Sequence, residues 1–419
     1  MFDEELRKRE RSASGRHSVV SLVQLSTRLA RSGQLDDAVE LAIKALESAP
    51  TSRVVRDWLA QLGLARGPWP SRFGDSDQAC RSPLRGAREG RIAWRLPIPG
   101  SPRGTPVLSP DGQAMVTTDA ERLVFVGRDG ALAEDDAPWD ATVSPTIGDD
   151  GRVLAVCRER GPLRSNFLLA FPDTRRPDTE TLEPALVDAR RGLTYASWDG
   201  FLRSCEGVES RPLLKVSTHP HSWARPSAAF LSDGRGLFGS VRPYAGELVC
   251  LDPDGHELWR LEARSAIAGP TGAAVSEAGI VARIGDQVYG LDDDGQVRWR
   301  QKTHVADWWR PVTGEALPQP ALFGDIAVLA TSWGLLAVST RTGKEIFQRA
   351  KLKTPRAPAI DVDGVIHVSV PGRLVGLDLE GRTVYETKLP GRGRAASAPA
   401  IGCGGVTLVI ALDELIAVA

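Results

Sequence analysis

The stretch APAIDVDGVIHVSVPGRLVGLDLEGRTVYE, residues 357–386, decides the fold of this chain. It opens on Pro358, runs through a short apolar segment to a turn ending in Gly364, and resumes as IHVSV. A second turn at Pro371 and Gly372 leads into RLVGLD. A third, ending in Gly381, leads into a closing segment that carries Tyr385. Short apolar runs bounded by Gly, Pro and Asp read as strands joined by tight turns, with glycine at the position that needs a positive φ. The stretch therefore predicts one antiparallel unit of four strands.

The same opening occurs eight times. TPVLSPDG starts at Thr105, SPTIGDDG at Ser144, EPALVDARRG at Glu183, RPSAAFLSDG at Arg225, GPTGAAVSEAG at Gly269, QPALFGDI at Gln319, APAIDVDG at Ala357 and APAIGCGG at Ala398. The marker prolines Pro106, Pro145, Pro184, Pro226, Pro270, Pro320, Pro358 and Pro399 are spaced by 39, 39, 42, 44, 50, 38 and 41 residues. A period near forty in an all-strand pattern means one four-stranded unit repeated around an axis, a β-propeller. The last unit supplies only three strands. The early segment GRIAWRLPI, with Trp94, has no unit of its own, so the strand within 91–98 is expected to complete the last blade and seal the ring. Eight blades result; seven is the alternative, because the unit from Glu183 to Ser217 is short and weakly patterned.

Two further segments precede the propeller at 89–419. Residues 1–17 are charged and expected to be disordered. Residues 18–62 read as helices, with Leu22, Leu25 and Leu29 on one face and Ala38, Ala42, Ala45 and Leu46 on another. Gly33 ends the first helix and Pro50 the second. Residues 63–88 are rich in Gly, Pro, Ser and Arg and read as a linker.

Composition narrows the function classes. Charged residues are 25% of the 419 and the net charge is −1, so no whole-chain basic field points to nucleic acid. No apolar run has the length of a membrane span, and the start Met1–His17 lacks the apolar core of a signal peptide, so a cytoplasmic protein is expected. Cys80, Cys157, Cys205, Cys250 and Cys403 are scattered, which suits free buried thiols and not a zinc site. No GxSxG, HExxH or phosphate-loop motif occurs, and most carboxylates sit in Asp-Gly turns, where they bond local backbone. No enzyme activity, metal or cofactor is expected.

Departures from the repeat mark one face, where outer strands connect to the next inner strands and the two middle strands turn. The connection 217–226 holds His219, His221, Trp223 and Arg225; the connection 303–320, source of the longest spacing, holds His304, Trp308, Trp309 and Arg310. Middle turns add Trp198 and Trp333. Other connections place Arg103, Arg356, Arg392 and Arg394 near the channel mouth. Long loops on a rigid scaffold carry function, and Trp with Arg is the composition of binding hot spots. The face is therefore expected to bind a protein partner, with the arginines drawing acidic segments. An anionic small ligand is the alternative. Spacing across two loops does not make His219, His221 and His304 a metal site.

Two family resemblances follow from particular residues. Positions 18–62 resemble a tetratricopeptide repeat, with Gly33, Ala38, Ala45 and Pro50 at its small-residue, alanine and proline positions; Ser26 and Leu29 depart from its glycine and tyrosine. The stretches GELVCLDPDGHELWR from Gly246, GDQVYGLDDDGQVRWR from Gly285, GLLAVSTRTGKEIFQ from Gly334 and GRLVGLDLEGRTVYE from Gly372 resemble the pyrroloquinoline quinone (PQQ) type of propeller repeat. GPWPSRFGDSDQACRSPL, from Gly67, is similar to the lead-in of such propellers, and the resemblance implies that Trp69 and Pro70 anchor it on the propeller rim. It also implies that Trp259, Trp299, Phe347 and Tyr385 are wedges between blades. The family includes quinoprotein dehydrogenases, whose alcohol branch needs a vicinal cysteine pair and calcium ligands; neither is found here. The resemblance therefore implies the non-enzymatic branch, in the style of the propeller lipoprotein of outer-membrane assembly, although the lipid-attachment cysteine of that protein is missing. Cytoplasmic propellers of this type resemble components of bacterial multi-protein systems encoded with MoxR-type ATPases and von Willebrand A-domain proteins.

Overall fold

A computed structural model describes residues 19–49, 52–62, 79–98, 102–118, 123–133, 140–141, 144–147, 153–158, 166–171, 186–188, 192–196, 201–206, 209–215, 228–242, 245–264, 271–284, 286–303, 319–391 and 396–419, together with Leu64, Gly67, Trp69 and Gly74. The chain divides into two compact units, Met1–Ala65 and Arg66–Ala419.

In the first unit, helices α1 (Val19–Arg31), α2 (Leu35–Ser48) and α3 (Arg53–Gln61) pack through Leu29, Ala38, Ala42, Ile43, Ala45, Val55 and Leu59. Gly33, at φ 81°, makes the turn between α1 and α2. Ser26 is buried as a polar bridge. Its hydroxyl donates to the Ala38 carbonyl at 2.5 Å and accepts from Trp58 Nε1 at 2.6 Å, so a polar atom in this small core is satisfied on both sides. No helix among the described residues is long and apolar enough to cross a membrane.

The second unit is built from four-stranded antiparallel sheets. In chain order, sheet 1 spans 102–133, sheet 3 186–215, sheet 4 228–264, sheet 5 271–302, sheet 6 321–349 and sheet 7 359–388, each with its strands hydrogen-bonded in sequence order. The repeat's short apolar strands alternate with turns whose aspartate organises the backbone. Asp252, Asp292 and Asp378 each accept, on Oδ1, the backbone N–H groups two and four residues on. Sheet 2, at 140–171, is the irregular one. Asp140–Ala141 and Thr146–Ile147 both pair along Val153–Arg158, and Asn166–Phe171 pairs with that strand too. The weakly patterned sequence of sheet 3 forms a regular four-strand order, so the irregularity falls one unit earlier than the sequence suggests.

Sheet 8 closes the circle. Strands Ala400–Gly402, Val406–Ala411 and Glu414–Val418 take their fourth member from the far end of the unit, Ile92–Pro97, which pairs antiparallel with Glu414–Val418. Ring closure by an N-terminal strand covers an edge that would otherwise be open to pairing.

Sheets pack on one another through the aromatic wedges. A Cβ on Gly295 would lie 2.4 Å from the Trp259 ring, one on Gly343 2.7 Å from Trp299, one on Gly381 2.7 Å from Phe347, and one on Gly130 2.9 Å from Trp94. Each aromatic sits on an outer strand and lies on the positive-φ turn glycine of the next sheet, and Trp94 carries the pattern across the closure from sheet 8 to sheet 1. Trp299 Nε1 donates to the Thr340 carbonyl at 2.6 Å, and Trp259 Nε1 to the Asp293 carbonyl at 3.2 Å, so each indole is satisfied by the neighbour it wedges.

Candidate functional site

The face marked by the sequence is the end where each outer strand connects to the next inner strand. Strand Ile326–Thr331 turns there into Gly334–Ser339. The Thr331 hydroxyl donates to the Gly334 carbonyl at 2.8 Å and accepts from Trp333 N–H at 3.2 Å, which fixes a two-residue turn. Gly334, at φ 121°, has no room for a Cβ, which would lie 2.2 Å from the Arg349 carbonyl oxygen. Trp333 is held at the tip of this turn and is 51% exposed. A tryptophan turned outward by a rigid turn presents apolar area at small entropic cost.

Arg356 lies in the connection between sheets 6 and 7. Its N–H donates to Thr354 Oγ1 at 3.0 Å, and its Nε to the Ala396 carbonyl at 3.0 Å, in the connection between sheets 7 and 8. The guanidinium is half-buried and ties two connections together. His219, His221, Trp223, Arg225, Trp308, Trp309, Arg310 and Arg394, with His304, Trp198 and Arg392, lie outside the described residues.

Two buried polar residues at this end carry no signal in the sequence. Arg283, on strand Gly279–Ile284, is fully buried, and its Nη1 donates to the Ala330 carbonyl at 2.8 Å, directly behind the Trp333 turn. Burial pushes its pKa down to about 10, so it stays cationic at neutral pH. Gln319, at the end of the long connection, is buried with its amide against Gly272, where a Cβ would lie 2.6 Å from it. Inner-strand neighbours of apolar runs read as core, so neither residue stands out by period or motif.

A metal-dependent quinoprotein site needs a dense donor set, and the described residues do not fit one. Among them, the one group of three possible ligands is Asp252, Asp254 and His256, in an exposed turn of sheet 4. Asp252 there is engaged by the backbone N–H groups of Asp254 and His256, with its other oxygen 3.0 Å from His256 Nδ1, the same arrangement that closes the equivalent turns of sheets 5 and 7. Cys80, Cys250 and Cys403 are separate buried thiols.

Comparison with known proteins agrees with this architecture. Residues 215–361 and 245–419 match the family model described as outer membrane protein assembly factor BamB. The outer membrane protein assembly factor BamB of Nitrosomonas eutropha is 28% identical over 142 residues, 32% of this chain and 32% of that protein. The chain thus matches about a third of the length of that relative. Among solved structures, a europium-containing methanol dehydrogenase superposes with a TM-score of 0.54 at 10% identity, covering 84% of this chain and 91% of its own. The Dos1 propeller superposes with a TM-score of 0.53 at 11% identity, covering 84% and 94%. At such identities the likeness is one of fold. The chain is a β-propeller whose residues 215–419 are similar to the repeats of BamB.

Proposed function

We propose that this protein is a non-catalytic scaffold or adaptor that binds a protein partner on the connection face of an eight-bladed ring. The observation that carries the reading is Trp333, half exposed on a turn too constrained to fold it away. The match of residues 215–419 to an assembly-factor family supports it. The eight-blade count rests on the strand groupings, with sheet 2 as its irregular member. The tetratricopeptide-like helices belong to the same proposal, as a second docking element.

The test is purification under mild conditions followed by mass spectrometry. The wild-type chain is expected to retain a defined partner that Trp308→Ala/Trp309→Ala and Trp333→Ala fail to retain. Equal recovery by all three proteins would remove the connection face from the account. Dye reduction dependent on added PQQ and calcium would replace the adaptor with an enzyme.

One observation favours a second reading, an anionic small ligand. The buried, cationic Arg283 places positive charge just behind the Trp333 turn. A thermal shift with carboxylate or phosphate metabolites that Arg283→Met abolishes would favour that reading.

A further inference from the structure

Residues 63–88 read as a linker, yet several of the residues described in that stretch are buried. Trp69, Ala79, Cys80, Ser82, Leu84 and Ala87 are all buried. Their hydrogen bonds show where they lie. The Trp69 carbonyl accepts from Leu108 N–H at 2.8 Å, the Ala79 carbonyl from Leu322 N–H at 2.9 Å, and the Cys80 carbonyl from Ile360 N–H at 2.9 Å. Ser82 N–H donates back to the Ile360 carbonyl at 3.0 Å, and Val362 N–H donates to the Leu84 carbonyl at 3.1 Å.

Leu108, Leu322 and Ile360 stand at or next to the end of the innermost strands of sheets 1, 6 and 7. The outward edge of each such strand is taken by its own sheet, so the remaining edge faces the axis of the ring. Trp69 and residues 79–84 therefore sit on the inside, at the end opposite the connection face. Cys80 adopts φ 49°, a left-handed conformation that costs a non-glycine residue energy. It marks the step from sheet 6 to sheet 7, with bonded carbonyls at Ala79 and Cys80 to hold it.

The segment then leaves the axis by passing between sheets 7 and 8. Gly86 N–H donates to Asp361 Oδ2 at 2.9 Å, and Arg88 Nη1 meets the same oxygen at 2.5 Å. Ala87 N–H donates to Thr407 Oγ1 at 3.1 Å, Thr387 Oγ1 donates to the Gly90 carbonyl at 2.7 Å, and Arg91 and Ala419 exchange backbone bonds. The passage is narrow: a Cβ on Gly86 would lie 2.6 Å from His367 Nε2.

We infer that this lead-in is an axial plug, latched between sheets 7 and 8 by Arg88 and Asp361, that occupies the channel at the turn end. The ring closes around its own chain. Resting on the adaptor reading, the plug bars a partner strand from threading through the ring unless the lead-in is displaced.

The test uses the full chain and N-ethylmaleimide, with peptide mapping of Cys80 against Cys250, which is buried inside sheet 4. The plug predicts that Cys80 reacts as slowly as Cys250 in native buffer. It also predicts that Arg88→Ala raises the Cys80 rate, relative to that of Cys250, by about tenfold or more through local opening. Native reaction of Cys80 about a hundredfold faster than Cys250 would overturn the plug. Protection of Cys80 unchanged by Arg88→Ala, with the circular dichroism spectrum intact, would overturn the latch. Neither readout involves a partner, so failure here leaves the adaptor reading standing, and the reverse also holds.

Discussion

Asp361 and His367 show how much the smallest scale decides. Both side chains are fully buried, 3.5 Å apart. Burial alone would raise the Asp361 carboxyl, but bonds from His367, Arg88 and the Gly86 N–H outweigh it and hold the group well below the ordinary carboxylate range. Burial pushes the His367 ring below its usual 6.5, against the pull of Asp361, while its Nδ1 lies 2.7 Å from the Tyr385 hydroxyl. At neutral pH the pair is an ionised carboxylate beside a neutral imidazole. On acidification the unfolded chain takes up the histidine proton first, so stability is full above pH 6.5 and falls as the pH drops below it. A second loss follows below 3.8, where unfolded Asp361 protonates and the folded group does not. Urea midpoints between pH 7 and pH 5 are expected to fall less steeply for His367→Gln than for wild type; equal slopes would contradict this. Arg88→Ala strands a buried carboxylate, and chemical denaturation is expected to show a loss of about 2–3 kcal/mol. None of this was legible in the chain, because Arg88 and Asp361 are 275 residues or so apart, as are Asp361 and Gly86, and only the fold brings them together. The aspartates of the Asp-Gly turns were legible, because their partners are two and four residues away.

Elements repeat this division between near and far. The outer-strand aromatics fall at one fixed place in each unit, so the period identifies Trp259, Trp299, Phe347 and Tyr385 as wedges; the structure places the first three on the next sheet's turn glycine, whereas Tyr385 lies against Gly90 of the lead-in. Trp299→Ala is expected to destabilise the propeller by about 3–5 kcal/mol, whereas Trp333→Ala, on an exposed turn, is expected to change stability by no more than about 0.5 kcal/mol. Thermal and urea unfolding of the two variants separate these outcomes. The packing of the lead-in was not legible for a physical reason. Its Gly, Pro and Ser content signals irregular backbone, and irregular backbone is usually exposed, but here its polar groups are satisfied by the inner strands and the apolar period is not needed. Trp69 accordingly lies against Leu108 on an inner strand and not on the rim. The irregularity of sheet 2 was not legible because a first strand split into Asp140–Ala141 and Thr146–Ile147 keeps the proline marker while breaking the ladder.

For the whole molecule, closure and polarity matter most. Strand Ile92–Pro97 completes sheet 8 and brings Trp94 onto Gly130 of sheet 1, so one segment supplies both the last ladder and the last wedge. Removing residues 1–98 is expected to expose the edge of Glu414–Val418 and produce self-association in size-exclusion chromatography; a monodisperse monomer would contradict the closure. With the proposed plug at the turn end, the two ends of the ring become unequal, and the connection face is the side proposed for recognition. The most direct test of that claim is the dissociation constant of the captured partner, measured by calorimetry against wild type, Trp333→Ala and Ile346→Ala. Ile346 is an exposed apolar residue on the outer strand of sheet 6, away from the connection face. Binding weakened about thirtyfold by Trp333→Ala and unchanged by Ile346→Ala is the predicted result. Equal affinity for all three proteins would place recognition elsewhere.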